Sequence, residues 1–219
     1  AFDGCSASNA GGGLRFSGSG GSVDECYFQS SHHLLSLIND ILDLSKVEAG
    51  KLDLVPVRFS VRECIKLAVN TLSVRIDEKK LELHTRVGEA VPHSIIGDSA
   101  RLRQILLNLI GNAIKFTHEG SIDVNMRCVH EDRDAASIYF EVRDNGIGID
   151  KERQATIFDS FEQGSIQINR EYGGTGLGLS IVHDILYRLG GNVRVASEPG
   201  QWTRFVVEIP LKPPETLRP

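Results

Sequence analysis

The chain has 219 residues, of which 41% are hydrophobic and 24% charged, so it can bury one principal core and a smaller appendage. Its formal net charge of -5 argues against a nucleic-acid-binding surface, which needs clustered lysine and arginine side chains. No apolar run approaches the roughly 20 residues of a membrane span, and no basic segment followed by an apolar stretch opens the sequence. We therefore expect any membrane anchor to lie outside this chain.

The cysteines are spaced too irregularly for a metal site. They are Cys5, Cys26, Cys64 and Cys128. Lone thiols are typical of proteins in a reducing compartment, so we expect a cytoplasmic location.

The first 50 residues contain two different patterns. Residues 1–30 are rich in glycine and serine without apolar periodicity, which predicts a flexible linker or a cloning remnant with no fold of its own. Residues 31–50 form an apolar helical stripe from Leu34 to Leu44 that is broader than a surface helix requires, and they end at Gly50. Such a helix needs partners on two sides, so it predicts association in a helix bundle.

Residues 51–211 alternate between strand and helix patterns, and residues 212–219 form a proline-rich linker. The predicted helices cover 61–76, 99–116, 151–158 and 176–189, and the predicted strands cover 52–60, 80–87, 94–97, 120–128, 137–144, 191–196 and 203–210. This order predicts a mixed sheet with helices on one face, an α/β two-layer sandwich.

The helix over 99–116 carries one narrow polar stripe, because about 100° per residue brings every third or fourth position to the same side. The stripe contains Arg101, Gln104, Asn108, Asn112 and Lys115. One interpretation makes Asn108 an oxygen ligand of Mg²⁺ and lets Asn112 and Lys115 hold phosphate oxygens. A plain solvated helix face is an equally open interpretation of this element alone.

The strand over 137–144 ends in a carboxylate followed by a glycine turn. Asp144 has the same parity as the apolar residues of its strand, so its side chain should point inward. An inward carboxylate costs several kcal/mol unless it is paired, and only a turn with Gly146 and Gly148 follows it. A ligand donor such as the amino group of adenine would satisfy it, and a strand-end Asp that caps the turn is the alternative.

A second glycine turn, with Gly174, Thr175, Gly176, Leu177 and Gly178, leads directly into the last helix. Glycines before a helix N-terminus let backbone N–H groups approach phosphate oxygens, so this turn predicts phosphate binding. The turn fits neither a Rossmann unit nor a Walker A box. The long polar stretch before it predicts a lid over the nucleotide.

Four segments together, NLIGNAIKFT, DNGIGI, FDSFEQ and YGGTGLGLS, resemble the N, G1, F and G2 boxes of histidine kinases in order and spacing. The resemblance covers Ser31 to Leu211 and implies the Bergerat ATP-binding fold shared with DNA gyrase, MutL and heat-shock chaperones, preceded by the second helix of a dimerisation bundle. It implies the cofactors ATP and Mg²⁺. By position it assigns Asp144 and its turn, Gly146 and Gly148, to adenine, Asn108 to the metal, Asn112, Lys115 and the 174–178 turn to the phosphates, Phe116 to the adenine border and Arg170 to the γ-phosphate.

The resemblance also indicates which member of the superfamily this is. Gyrase-like ATPases carry a glutamate that activates water where this chain has Gln104, and an amide cannot act as a general base. Phosphoryl transfer to a protein histidine therefore fits better. The expected H box is missing, and His32 and His33 look like helix-start residues, so the phosphoacceptor is not evident in this chain.

The leading hypothesis is thus the ATP-binding catalytic domain of a hybrid-type sensor histidine kinase. Its expected partners are a phosphoacceptor helix, a second copy of the full-length protein and a response-regulator receiver domain. The alternatives are an ATP-binding regulatory module without phosphotransfer and, less favoured, a gyrase-like ATPase. One further departure from the family is Trp202, at a position where relatives carry glycine, and it predicts a surface packing residue.

Overall fold

The computed structural model describes residues 6–10, 13–17, 54–130, 136–159 and 176–211. The predicted bundle helix over 31–50, residues 160–172 of the predicted lid over 150–172 and the C-terminal linker lie outside these described residues. So do Arg170, Gly174 and Thr175 of the predicted nucleotide site.

The described elements follow the predicted order closely. The strands are β1 (Ser6–Ala10), β2 (Gly13–Ser17), β3 (Val57–Phe59), β4 (Glu82–Val87), β5 (Ile95–Gly97), β6 (Ser121–His130), β7 (Ala136–Asp144), β8 (Asn192–Glu198) and β9 (Trp202–Leu211). The helices are α1 (Val61–Glu78), α2 (Ser99–Phe116), α3 (Lys151–Gln154) and α4 (Gly178–Leu189). None of these helices is long and apolar enough to cross a membrane.

A five-stranded mixed sheet forms one layer of the fold, with the strand order β4-β6-β7-β9-β8. The β4–β6 pair is parallel and the other pairs are antiparallel. Alternate residues of the strands, such as Val124, Phe140 and Val207, are fully buried. They pack into one core with the buried sides of α1, α2 and α4, which confirms the predicted two-layer sandwich with helices on one face.

The other residues of the same strands are largely charged and lie on the opposite face of the sheet. Ion pairs join neighbouring strands there, with N–O distances of 3.8 Å for Arg204–Glu141 and 3.5 Å for Arg194–Glu208. The alternation of apolar and charged residues thus fixes which face of the sheet receives the helices.

Helix α2 is fixed at its start by one side chain that satisfies two backbone donors. The Asp98 carboxylate accepts from the Arg101 N–H at 3.0 Å and from the Val55 N–H at 3.0 Å. A carboxylate at the N-cap offsets both the unsatisfied N–H groups and the positive end of the helix dipole. Because Val55 precedes β3, the same residue attaches the small β3–β5 sheet to the start of α2.

Three predictions about the elements need correction. Residues 1–30 were assigned no fold, yet β1 and β2 pair as an antiparallel hairpin, with Ala10 opposite Gly13. Two glycines separate these strands in the sequence, and glycine is the residue that two-residue hairpin connections favour. The helix expected over 151–158 is helical only through Gln154, and the strand expected over 52–60 is reduced to Val57–Phe59.

Candidate functional site

The Asp144 side chain lies at the end of β7 and points into the core, as its parity in the strand predicts. It is only 4% exposed, and one carboxylate oxygen accepts from the Gly146 N–H at 2.9 Å. Burial raises the pKa of this carboxyl from 3.8 to about 6, while the Gly146 N–H and the nearby Thr117 hydroxyl partly oppose the shift. The carboxyl group is therefore held in a position where ionisation is unfavourable.

No described cation compensates Asp144, because the neighbours that oppose its pKa shift are one backbone N–H and one hydroxyl group. A carboxylate has lone pairs for about four hydrogen bonds, and a single short one is made here by the described residues. The remaining acceptor capacity is available to a donor from a ligand.

The turn after Asp144 needs glycine at two positions. A Cβ on Gly146 would lie 2.5 Å from the Phe116 carbonyl oxygen and 2.7 Å from an Asp144 carboxylate oxygen. Gly148 has φ +70° and would place a Cβ against the Glu198 carbonyl group. Side chains at either position would displace the turn from the carboxylate.

Backbone and side-chain hydrogen bonds fix this turn between two other elements. The Ile147 N–H donates to the Phe116 carbonyl at 3.2 Å, and the Gly200 N–H donates to the Ile147 carbonyl at 2.7 Å. The Ile149 N–H donates to Ser197 Oγ at 2.8 Å. The turn is thus attached on one side to the end of α2 and on the other to the β8–β9 connection.

The polar stripe of α2 runs along the helix toward the end that is attached to the turn after Asp144. Asn108 and Asn112 are half-buried. The Asn108 Nδ2 atom is buried and has no hydrogen-bond partner among the described residues. Its Oδ1 atom lies 3.5 Å from where a Cβ of Gly178 would be, so the middle of α2 faces the first residue of α4.

At the end of the stripe, Lys115 Nζ lies 4.7 Å from the centroid of the Phe116 ring. Burial lowers the pKa of this lysine. At the start of the stripe, Arg101 Nη1 donates to Gln104 Oε1 at 2.7 Å. Gln104 therefore accepts a hydrogen bond from a cation in the structure, and its amide cannot act as a general base.

The described part of the second glycine turn leads into α4. Gly176 has φ +72°, and the Leu177 side chain is 2% exposed, so Leu177 can present only its backbone to a ligand. The first helical residue is Gly178, two positions later than predicted. Because Gly178 faces Asn108, the structure brings the N-box and G2-box segments together, while Asp144, Gly146 and Phe116 form the second half of the site.

Two threonines of the site were not identified from the sequence. Thr117 is fully buried beside Asp144, and its hydroxyl has no partner of hydrogen-bonding geometry among the described residues. Thr203 lies opposite Asp144 in the β7–β9 register, and its Oγ1 is 3.0 Å from Ser197 Oγ. Thr117 stands in the quoted N-box segment and Thr203 has inward parity in its strand, so both signals were present in the sequence.

Trp202, half-buried at the start of β9, packs under the Arg143 guanidinium at 5.6 Å, as expected of a packing residue.

A known protein family matches the half of the chain that contains the candidate site. The family model described as histidine kinase-, DNA gyrase B- and HSP90-like ATPase matches residues 97–213. This range begins just before α2 and contains all the residues of the candidate site.

Curated relatives are similar over most of this chain. The signal transduction histidine-protein kinase BarA of Escherichia coli is 40% identical over 84% of the chain, and hybrid signal transduction histidine kinase B of Dictyostelium discoideum is 41% identical over 87%. The chain spans only 20% of the first relative and 10% of the second. It is therefore similar to one part of much longer proteins.

Solved structures with similar folds include ShkA and a histidine kinase. Full-length ShkA in complex with AMPPNP superimposes with a TM-score of 0.73 at 34% identity, covering 85% of this chain and 37% of that one. The Acinetobacter baumannii histidine kinase AdeS gives a TM-score of 0.67 at 25% identity, covering 85% of this chain and 82% of that one. The mixed sheet with helices on one face is common to these proteins.

Proposed function

Because the chain belongs to the histidine kinase-, DNA gyrase B- and HSP90-like ATPase family, we propose that residues 51–211 are the ATP-binding, catalytic domain of a sensor histidine kinase. The similarity to BarA and to ShkA, which was crystallised with an ATP analogue, supports this member of the family. The observation that carries the proposal is the buried Asp144 carboxyl, whose acceptor capacity is directed into a turn of glycines.

Adenine fits the Asp144 half of the site. Its exocyclic amino group is a donor that would meet the carboxylate, and Gly146 lets the turn stay close to that carboxylate because a side chain there would displace it. The buried Thr117 hydroxyl offers a further polar contact beside the carboxylate. Phe116 would border the base.

The triphosphate fits the other half of the site. We assign Lys115, Asn112 and the 174–178 turn to phosphate oxygens, and Arg170 to the γ-phosphate. The α4 N-terminus, with Gly176 and Gly178 before and at its start, supplies backbone N–H groups and the positive end of a helix dipole. Phosphates on this side would lie over the half-buried amide stripe of α2.

Asn108 is the residue we assign to Mg²⁺. Magnesium prefers oxygen ligands and keeps several waters, so one amide oxygen together with nucleotide phosphates is a sufficient donor set. The Asn108 amide is half-buried, its Oδ1 atom faces Gly178, and its Nδ2 atom, which has no partner among the described residues, is a donor suited to a phosphate oxygen and not to the cation. When bound, the cation would neutralise charge on the phosphates.

The reaction we propose is transfer of the γ-phosphoryl group of ATP to a histidine imidazole nitrogen, with ADP as the leaving group. Phosphoryl transfer needs mainly positioning and charge stabilisation, which this site supplies. Hydrolysis is disfavoured because Gln104 occupies the position at which gyrase-like ATPases carry the glutamate that activates water. The acceptor histidine would come from a bundle helix of the same or another chain, in a homodimer, and the phosphoryl group would pass on to a receiver domain. ATP as donor places this domain on the cytoplasmic side of the membrane in our proposal.

The adenine assignment is tested by titrating ATP into the Asp144→Asn variant in a calorimeter. Asn cannot offer the same two acceptor oxygens, and we expect at least about a hundredfold weaker binding, equivalent to roughly 2.7 kcal/mol. Asp123→Asn is the matched control, because Asp123 lies on the neighbouring strand, faces the charged side of the sheet and should leave ATP affinity unchanged. Equal ATP affinity in both variants would reject the adenine site.

A further inference from the structure

Lys79, the residue that follows α1, directs its side chain at the C-terminal end of α2. Its ammonium group donates to the Ile114 carbonyl at 2.7 Å, to the Lys115 carbonyl at 3.0 Å and to the Thr117 carbonyl at 3.1 Å. A lysine ammonium has three donors, and all three are used here. The last carbonyls of a helix have no partners within the helix and carry the negative end of its dipole, so a cation is favourable at this point.

Among residues 114–117, only the Phe116 carbonyl is not bound by Lys79. The Phe116 carbonyl accepts instead from the Ile147 N–H of the turn after Asp144. The carbonyl groups of residues 114–117 are therefore divided between one lysine and one backbone N–H of the site. The same four residues include Lys115 and Phe116, which we assign to the nucleotide, and Thr117, which lies beside Asp144. Lys79 thus binds the backbone carbonyls of a segment whose side chains we assign to the site.

Lys79 is itself fixed from both sides along the chain. Its N–H donates to the Arg75 carbonyl at 3.3 Å, and two residues later the Leu81 N–H donates to the Ile76 carbonyl at 3.1 Å. The Glu82 N–H then donates to the Gly120 carbonyl at 3.0 Å, which ties the start of β4 to the turn that follows α2. These hydrogen bonds thus hold the backbone of Lys79 in place relative to α2.

We propose that Lys79 is a positioning residue of the nucleotide site, which holds the 114–117 segment in the arrangement that lets Lys115, Phe116 and Asp144 act on one ligand. This inference rests on the proposed function. Lys79 touches no ligand in the proposal, and its effect on binding passes through the backbone of α2. A purely structural cap would stabilise the domain without changing nucleotide affinity once the domain is folded.

The test compares ADP binding by Lys79→Met, Lys79→Arg and Lys80→Met in a calorimeter, with thermal unfolding measured in parallel. Met keeps the length of the side chain and removes all donors, and we expect about tenfold weaker ADP binding at a temperature where the variant is fully folded. Arginine keeps the charge and several donors, so Lys79→Arg should bind ADP more tightly than Lys79→Met. Lys80→Met is the matched control, because Lys80 is exposed and adjacent, and its ADP affinity should equal that of the wild type.

A lower unfolding temperature in Lys79→Met with wild-type ADP affinity would overturn the inference and leave Lys79 as a structural cap. If Lys79→Met does not fold, Lys79→Gln replaces it, with the same expected loss of affinity and with amide hydrogen exchange as a second measurement. Exchange should accelerate at Ile147 and Thr117 and stay unchanged at Leu102, at the other end of α2; unchanged exchange at all three would also overturn the inference. A wild-type chain that binds no ADP would reject the proposed function instead, while the exchange measurement would still test the Lys79 contacts.

Discussion

At Asp144 the fold buries a carboxyl group without supplying the donors that would stabilise its charge. The pKa of Asp144 rises from 3.8 to about 6 on folding, so the folded domain binds this proton more tightly than the unfolded chain does. At neutral pH the folded state therefore contains a charge that opposes folding. Buried groups with perturbed pKa values of this kind are concentrated at functional sites.

This account predicts how stability depends on pH. Because the folded pKa of Asp144 lies above the unfolded value, its favourable contribution is complete below about pH 4 and is lost as the pH rises to about 6, an effect of about 3 kcal/mol. Asp144→Asn removes this titration. In urea unfolding without nucleotide, we expect the stability of Asp144→Asn relative to wild type to increase between pH 4 and pH 7. A constant difference across that range would contradict the burial of the charge.

Gly146 should not tolerate a side chain, because the space at its Cβ position is already filled by backbone and by the Asp144 carboxylate. In Gly146→Ala the new Cβ must displace the Phe116 carbonyl or the Asp144 carboxylate, both within 2.7 Å of its position. We expect a loss of roughly 1–3 kcal/mol in stability and a larger than tenfold loss in ADP affinity. Gly97→Ala is the control, since its Cβ would meet the Phe59 ring at an ordinary 3.6 Å. Normal ADP binding by Gly146→Ala would show that the turn is more adaptable than the structure indicates.

Among the elements, α2 connects the largest number of site features. Its buried side packs in the core, its polar side carries Asn108 and Lys115, and the carbonyl of its last residue, Phe116, accepts from the turn after Asp144. Its position is fixed at the start by Asp98 and at the end by Lys79. A small movement of this helix would therefore change both halves of the site together.

The interior of α2 contains one glycine that the packing does not require. A Cβ on Gly111 would meet no atom within 4 Å, and glycine inside a helix costs roughly 0.5–1 kcal/mol relative to alanine. Gly111→Ala should raise the free energy of unfolding by about that amount, as measured by urea denaturation. A destabilised variant would mean that the space beside Gly111 is needed by residues outside the described ranges.

The bounds of α2 could be predicted from the sequence because its signals are local. Asp98 is a capping residue, the apolar and polar stripes have helical spacing, and the helix observed over Ser99–Phe116 agrees with the prediction at both ends. The inward direction of Asp144 was likewise predictable, since strand parity is a local property. The turns were less predictable, and α3 is one turn long although Ile157 and Phe158, which follow it, pack against the core.

The contacts between distant segments could not be predicted in the same way. Lys79 is 35 residues before Ile114 in the sequence, and nothing in its neighbourhood distinguishes it from the adjacent Lys80. The position of the Thr117 hydroxyl beside the Asp144 carboxyl is apparent only when the end of α2 is placed beside β7. Sequence patterns therefore predicted candidate site residues, whereas the contacts that position them required the three-dimensional arrangement.

On the scale of the whole molecule, the fold brings three sequence-separated motifs together along α2, with the turn after Asp144 at its end and the start of α4 at its middle. Asp144 comes from the end of β7, the amide stripe from α2 and the glycines from the start of α4. We propose that together they bind a nucleotide whose phosphoryl group passes to a histidine that the sequence does not identify. The chain spans only a fifth of the BarA sequence.

The most direct test of the central proposal is phosphotransfer by a longer protein in which a helix with an H box precedes residue 31. Incubated with ATP labelled in the γ-phosphate and Mg²⁺, this protein should form acid-labile, alkali-stable phosphohistidine. The Asp144→Asn variant should not form it, and Asp123→Asn should form it at the wild-type rate. A folded protein that binds ATP but never forms phosphohistidine would contradict the kinase assignment and favour a regulatory ATP-binding module.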